Sequence, residues 1–376
     1  MIETSPFQAL ISERETGIWR YEQLLPKIEK KHRLTLGEGN TPLVKSRSIG
    51  AQLGISSLYF KMESANPTGS YKDRISALGV SRVLEEGKPA CVGTSSGNAG
   101  SSVAAYAARV GIPYHLLVLE RVLETKLKQA MLHGAVIQKI KHFGTSSEVG
   151  DKVFQYINKM AEKHNWEVMI TAFHYNPFAM EAVKTISFEL FEQLGGRIPD
   201  AVFAPVGGGG LYTGVYKGFQ ALKRCGVASA APAVVCVQSA GCSNIVKAWE
   251  QGLDRPAPGD STSAISGLQV PNPPDGRQVL NALQAGDGWG EAVCDEDVWA
   301  WQEKLAVEEG IWCEAASAVS LAGLSRAVQL GRVSPDSTVV CLLTGAGFKD
   351  NERTEAMVQK QPSIPLYDIE QLEASL

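Results

Sequence analysis

The feature that most constrains this chain is a strand that runs into a loop of glycines and small hydroxyls, then a helix, then another strand. Ala90-Cys91-Val92-Gly93 reads as a short buried strand and Thr94-Ser95-Ser96-Gly97-Asn98-Ala99-Gly100 as the loop. Ser101 to Arg109 is a small-residue helix stopped by Gly111, and Pro113 to Leu119 is the next strand. Strand, loop, helix, strand is a βαβ unit, and it implies a parallel sheet. The alternation continues with helix 122–133, strand 135–140, helix 146–164 and strand 167–170. After residue 200 it resumes, with strand 201–206, helix 211–222, strand 234–237 and a last strand 338–343. The expected fold is α/β: two lobes, each an open, mainly parallel sheet with helices on both faces. Ligands bind such sheets in the crevice at the carboxyl ends of the strands. The expected boundaries are an N-terminal arm over 1–33, a first lobe over 34–170, a second over 171–355 and a tail over 356–376. The arm should hold a helix around Tyr21 to Lys31, the Gly/Pro-rich stretch 251–288 a surface excursion, and residues 363–376 a short helical tail.

Two of the loops have the composition of anion sites. Gly207-Gly208-Gly209-Gly210 follows a buried strand and opens a helix, so backbone N–H groups can close on a phosphate with help from the helix dipole. Nucleotide motifs fail on spacing: a G-x-G-x-x-G pattern would need its third glycine at Tyr212 or Thr213, and the P-loop lysine is Val215. The loop Thr94 to Asn98 also offers free N–H groups beside hydroxyls, and reads either as a second anion site or as a plain N-cap loop.

Asn66-Pro67-Thr68-Gly69-Ser70-Tyr71-Lys72-Asp73-Arg74 supplies the candidate reactive group. The turn dipeptides end the strand Leu58-Tyr59-Phe60, and Ser70 with Asp73 predicts a capping box starting a helix. Lys72 then lies in a first helical turn, where the macrodipole disfavours cations. A Schiff-base lysine works as the neutral amine. An arbitrary lysine in such a place is more often a solvated surface side chain, so the neighbouring segments decide.

Composition excludes other classes. The 376 residues are 44% hydrophobic and 20% charged, with net charge −4 and no basic cluster that would suggest nucleic acid. No apolar run approaches a membrane span, and the acidic N-terminus has no signal-peptide pattern. The seven cysteines show no Cys-x-x-Cys or Cys/His spacing, so no metal site is expected and reduced thiols in a cytoplasmic protein are.

The Lys72 segment resembles that of the fold-type II pyridoxal-phosphate enzymes, and most closely the threonine synthases, over roughly residues 17 to 350. Leu36-Gly37-Glu38-Gly39-Asn40-Thr41-Pro42-Leu43 resembles the opening of threonine synthases. The resemblance implies pyridoxal 5'-phosphate as cofactor, Lys72 as Schiff-base lysine and catalytic base, and Gly207, Gly208, Gly209 and Gly210 as the cofactor-phosphate cup. It implies that Thr94, Ser95, Ser96, Gly97 and Asn98 grip the substrate carboxylate, that Asn98 bonds the phenolic oxygen, and that Thr344 meets the pyridine nitrogen. A hydroxyl there suits elimination and replacement chemistry. The implied activity is that of a carbon-oxygen lyase, most closely conversion of O-phosphohomoserine and water to threonine and phosphate, in a homodimer acting on a small amino acid. Glu308 to Ala318 resembles a family segment in which Glu314 either orients the lysine or cofactor face or is a buried structural carboxylate. Asn176, Pro177, Glu181, Lys184 and Thr185 keep the family register, but Ala179 replaces an arginine that helps hold the substrate phosphate. Lys184 or His174 could substitute, or the substrate carries no phosphate. A serine/threonine dehydratase, or a β-replacement or ammonia-lyase enzyme, is therefore the alternative, with a non-catalytic amino-acid- or cofactor-binding protein as a reading of a different class.

Overall fold

The computed structural model describes residues 6–95, 97–144, 146–286, 288–364, 366 and 368–369. Among these residues ten strands build two sheets. They are β1 (Leu43–Lys45), β2 (Ser57–Met62), β3 (Cys91–Thr94), β4 (Tyr114–Leu119), β5 (Val136–Ile140), β6 (Glu167–Val168), β7 (Ala201–Pro205), β8 (Ala233–Ser239), β9 (Gly290–Val293) and β10 (Thr338–Leu343). The larger sheet has the order β1-β2-β10-β7-β8-β9 and the smaller β5-β4-β3-β6. Every pairing is parallel except that of β1 with β2.

The larger sheet is covered on both faces, as a parallel sheet must be. In β10, Val340 and Leu342 join one core, while Val339, Cys341 and Leu343 join the other. β7 divides likewise, Val202 and Ala204 against Ala201 and Phe203. The period-two alternation of buried apolar residues thus feeds two cores at once. The smaller sheet repeats the arrangement, with Cys91, Leu116 and Val118 on one side and Val92 and Leu117 on the other.

Several expectations need correction. β1 and β2 pair into the larger sheet through β10, so one cut at residue 170 does not separate the sheets. The helix expected over Tyr21 to Lys31 is absent: a 3-10 helix over Gly17–Leu24 ends before Pro26, and residues 25–29 are non-helical. The capping box does not form either. The helix Lys72–Glu85 starts without a side-chain cap, and Asp73 instead accepts from the Thr68 amide (2.6 Å), the Thr68 hydroxyl (2.6 Å) and the Ser102 hydroxyl (2.5 Å). The 251–288 stretch is only partly surface, because Ile265, Leu268 and Asp275 are buried and a helix occupies Gly276–Ala285. Most of the expected helical tail lies outside the described residues.

A charged cluster fastens the elements beneath the Lys72 helix. The fully buried Arg74 donates to both oxygens of Glu63 (2.8 Å each) and to Glu189 (2.5 and 2.8 Å). Lys61 is also buried and donates to Glu189 at 2.6 Å. Two cations face two carboxylates, which keeps the charge balanced where it is costly to leave one unpaired. Burial alone would raise the Glu189 carboxyl, but Arg74 and Lys61 hold it down at about 2.

Candidate active site

Three loops converge. The first carries Lys72 as the opening residue of its helix, after a turn in which Gly69 has φ +86°. Tyr71 N–H donates to the Thr344 carbonyl (3.1 Å) and Ala346 N–H to the Gly69 carbonyl (2.9 Å), so this loop lies along the exit of β10. The Lys72 ammonium group lies 4.5 Å from the centre of the Tyr71 ring and donates to the Thr171 hydroxyl at 2.8 Å. Thr171 carried no signal in the sequence.

The second loop is Gly207 to Gly210, which leaves β7 and opens the helix Gly210–Arg224. A side chain at Gly207 would overlap the Gly267 carbonyl, and Gly209 has φ +96°, a conformation suited to glycine. Among the described residues no protein acceptor takes the amides of Gly207, Gly208 or Gly209. Asp275 buttresses this loop. Its amide donates to the Gly208 carbonyl (3.0 Å), and its carboxylate accepts from the amides of Phe173 (2.8 Å) and His174 (2.9 Å). Burial pushes the Asp275 carboxyl up, while those amides and the charges of His174 and Lys72 pull it down.

The third loop is Thr94 to Gly97, after β3, with Asn98 opening the helix Asn98–Arg109. Thr94, Ser95 and Gly97 are half-buried, and Ser96 lies outside the described residues. The Asn98 amide donates to both oxygens of Glu314 (3.2 and 3.0 Å), and the Thr344 hydroxyl donates to the same carboxylate at 3.1 Å. Thr344 and Ser317 hydroxyls are 3.1 Å apart. Glu314 therefore sits with Asn98 and Thr344, at the start of the helix Ala315–Gln329. Burial raises its carboxyl, against the lowering effect of Asn98 and Thr344. Lys349 donates to Gln129 nearby; burial lowers its ammonium, and the charges of Glu314 and Asp73 raise it.

The region around Ala179 is closed. Ala179 is fully buried, its amide donates to Asn176 Oδ1 (2.9 Å), and its methyl faces Gly79 of the Lys72 helix. Lys184 is already held by the Leu24 carbonyl (2.9 Å) and Glu181 (2.6 Å), while His174 is exposed. Among the described residues no cluster of His, Cys, Asp and Glu could hold a metal, and no helix is long and apolar enough to cross a membrane.

The chain matches the family model for pyridoxal-phosphate dependent enzymes over residues 34–345. A threonine synthase of Methanocaldococcus jannaschii is 36% identical over 342 residues, covering 90% of this chain and 82% of that protein. One from Halalkalibacterium halodurans is 32% identical, covering 92% of each. Among solved structures, the holo diaminopropionate ammonia lyase of Escherichia coli superposes with TM-score 0.73 at 18% identity, covering 88% of this chain and 90% of that one. Maize serine racemase gives 0.71 at 21%, covering 85% and 92%. These two share the fold. The chain is a pyridoxal-phosphate-dependent lyase, and it belongs to the family of the threonine synthases.

Proposed function

We propose that this protein converts O-phosphohomoserine and water into threonine and phosphate, with Lys72 as anchoring residue and proton carrier. The observation that carries this reading is the convergence of Lys72, the glycine loop and the Asn98–Glu314–Thr344 cluster in one chain 36% identical to a threonine synthase. The residues fit the cofactor. Amides of Gly207 to Gly209 that no protein acceptor takes among the described residues, with a collision at Gly207 and a positive φ at Gly209 that favour glycine, suit a phosphate. Asn98 and Thr344 offer polar groups at the other end of the crevice. When bound, pyridoxal phosphate supplies an electron sink for a carbanion at the substrate's Cα.

The rest falls to the chain's own groups. The loop from Thr94 to Asn98, Ser96 included, receives the substrate carboxylate on its N–H groups and hydroxyls. Lys72, as a free amine, would take the Cα proton and carry protons at Cβ and Cγ as phosphate leaves Cγ and water adds at Cβ. Thr344 would offer its hydroxyl to the ring nitrogen of the bound cofactor, a partner that suits elimination and replacement. A cytoplasmic homodimer is part of the same reading, supported by the family resemblance. So is a two-lobe division, with the arm over 1–33, the first lobe over 34–170 and the second over 171–355, amended by the transfer of β1 and β2 to the larger sheet.

The buried alanine at 179, and the engagement of Lys184 by Leu24 and Glu181, favour a second reading, elimination from a substrate without phosphate, as in a serine/threonine dehydratase or an ammonia-lyase. A paired assay on cofactor-loaded protein separates the two. Phosphate appearing together with threonine from O-phosphohomoserine supports the synthase. Oxo acid from serine or threonine, with no phosphate released in the first tube, overturns it in favour of the dehydratase.

A further inference from the structure

We propose that Thr171 is the positioning residue for Lys72: its hydroxyl holds the lysine nitrogen whenever that nitrogen is not bonded to the cofactor, and Asp275 fixes Thr171 relative to the glycine loop. The inference rests on the reading of Lys72 as the cofactor-anchoring base. It starts from the company the amine keeps. Among the described residues it meets the Thr171 hydroxyl at 2.8 Å and the Tyr71 ring face at 4.5 Å, and neither carries a charge. The Asp275 carboxylate, which the Lys72 charge helps pull down, has its oxygens engaged by the amides of Phe173 and His174.

The choice of a hydroxyl has a consequence for chemistry. A carboxylate partner would favour the charged ammonium. A hydroxyl accepts a hydrogen bond from an ammonium and donates one to the lone pair of a neutral amine, so it holds the nitrogen through both halves of a proton transfer. Position is fixed as well. Thr171 lies three residues beyond β6, and its carbonyl is 3.4 Å from where a side chain on Gly210 would begin. Asp275 joins the segment Phe173-His174 to the Gly208 carbonyl. The anchor for the lysine and the loop suited to phosphate therefore move as one piece, which sets the distance between the two ends a cofactor must span.

The test uses the full-length protein, stripped of cofactor, with pyridoxal phosphate added. Two quantities are read: the rate at which yellow absorbance forms, and the dissociation constant from titration. Thr171→Val keeps the shape and removes the hydroxyl, whereas Thr171→Ser keeps the hydroxyl. Loss of one oriented hydrogen bond predicts capture slowed about tenfold in the valine variant, with recovery to within about twofold in the serine variant. Should the valine variant fail to fold, Thr171→Ala carries the same comparison. Capture by the valine variant at the wild-type rate overturns the proposal, and so does a serine variant as slow as valine, which would mean a packing role. A wild type that forms no yellow product removes the reading of Lys72, and this inference with it. A competent wild type beside an unaffected valine variant removes this inference alone.

Discussion

At the scale of single residues, Lys72 and Glu314 have separable tests. If Lys72 is the proposed covalent anchor and proton carrier, replacing it with alanine is expected to lower turnover by at least about 10³-fold. The control is far-UV circular dichroism, which should match the wild type because the side chain makes one hydrogen bond to Thr171 and a ring contact with Tyr71. Unchanged turnover would refute the assignment. Glu314 gives a stability prediction with a definite sign. Its folded-state carboxyl titrates above the ordinary value, chiefly through burial, so the native state binds a proton more readily than the unfolded chain. That contribution is present below the ordinary carboxylate range and is lost as pH rises through the higher folded value. Glu314→Gln stays neutral and keeps one oxygen for Asn98 and Thr344. Its stability relative to wild type should therefore rise from acidic to neutral pH in urea melts. A constant difference across that range would show that the carboxylate is not the titrating group.

At the scale of elements, the Arg74 cluster joins the Lys72 helix, the end of β2 and the helix Thr185–Gln193. Arg74→Met leaves Glu63 and Glu189 buried with one cation, Lys61, and should cost about 3–5 kcal/mol near neutral pH. Glu189 titrates at about 2 instead of 4.5, so its contribution is full above 4.5 and disappears as pH falls towards 2. The gap between variant and wild type should shrink over that window in denaturant melts; a gap that holds its size would mean the cost is one of packing. The same elements show what could be read from sequence. The strands were legible because their apolar residues are contiguous or alternate, and the Lys72 and glycine loops because their residue types are unusual there. Thr171 and Asp275 were not, since each meets its partner about a hundred positions along the chain. Arg74 and Glu189 look like ordinary charged helix residues until the fold buries them. The capping box failed because the Thr68 amide and hydroxyl compete for the Asp73 carboxylate. The arm's helix failed at Pro26, which disfavours helical geometry in the residue before it.

At the scale of the whole molecule, each sheet has its own cores and the candidate site residues lie where their loops meet. The Lys72 helix belongs to both sides: Ile75 packs in a core of the larger sheet, while Ala77, Leu78, Val80 and Val83 pack in that of the smaller. Asn98, from the smaller sheet, reaches Glu314 and so joins a cluster with Thr344 at the end of β10. A ligand spanning Lys72, the glycine loop, Asn98 and Thr344 must therefore tie the two sheets together, and a ligand that binds only the native state adds to its stability. With free pyridoxal phosphate at a hundred times its dissociation constant, the gain is about 2.7 kcal/mol. A chain of this size converts that into a rise of roughly 3 °C in melting temperature. Inorganic phosphate reaches only the glycine loop and should give a smaller rise. Lys72→Ala, which removes the covalent bond but leaves the glycine loop, Asn98 and Thr344 in place, should fall between the two. Calorimetry on stripped protein with each addition checks the order. A rise with pyridoxal phosphate that Gly207→Ala does not diminish would remove the glycine loop from the site, because a side chain at that position collides with the Gly267 carbonyl and must displace the loop.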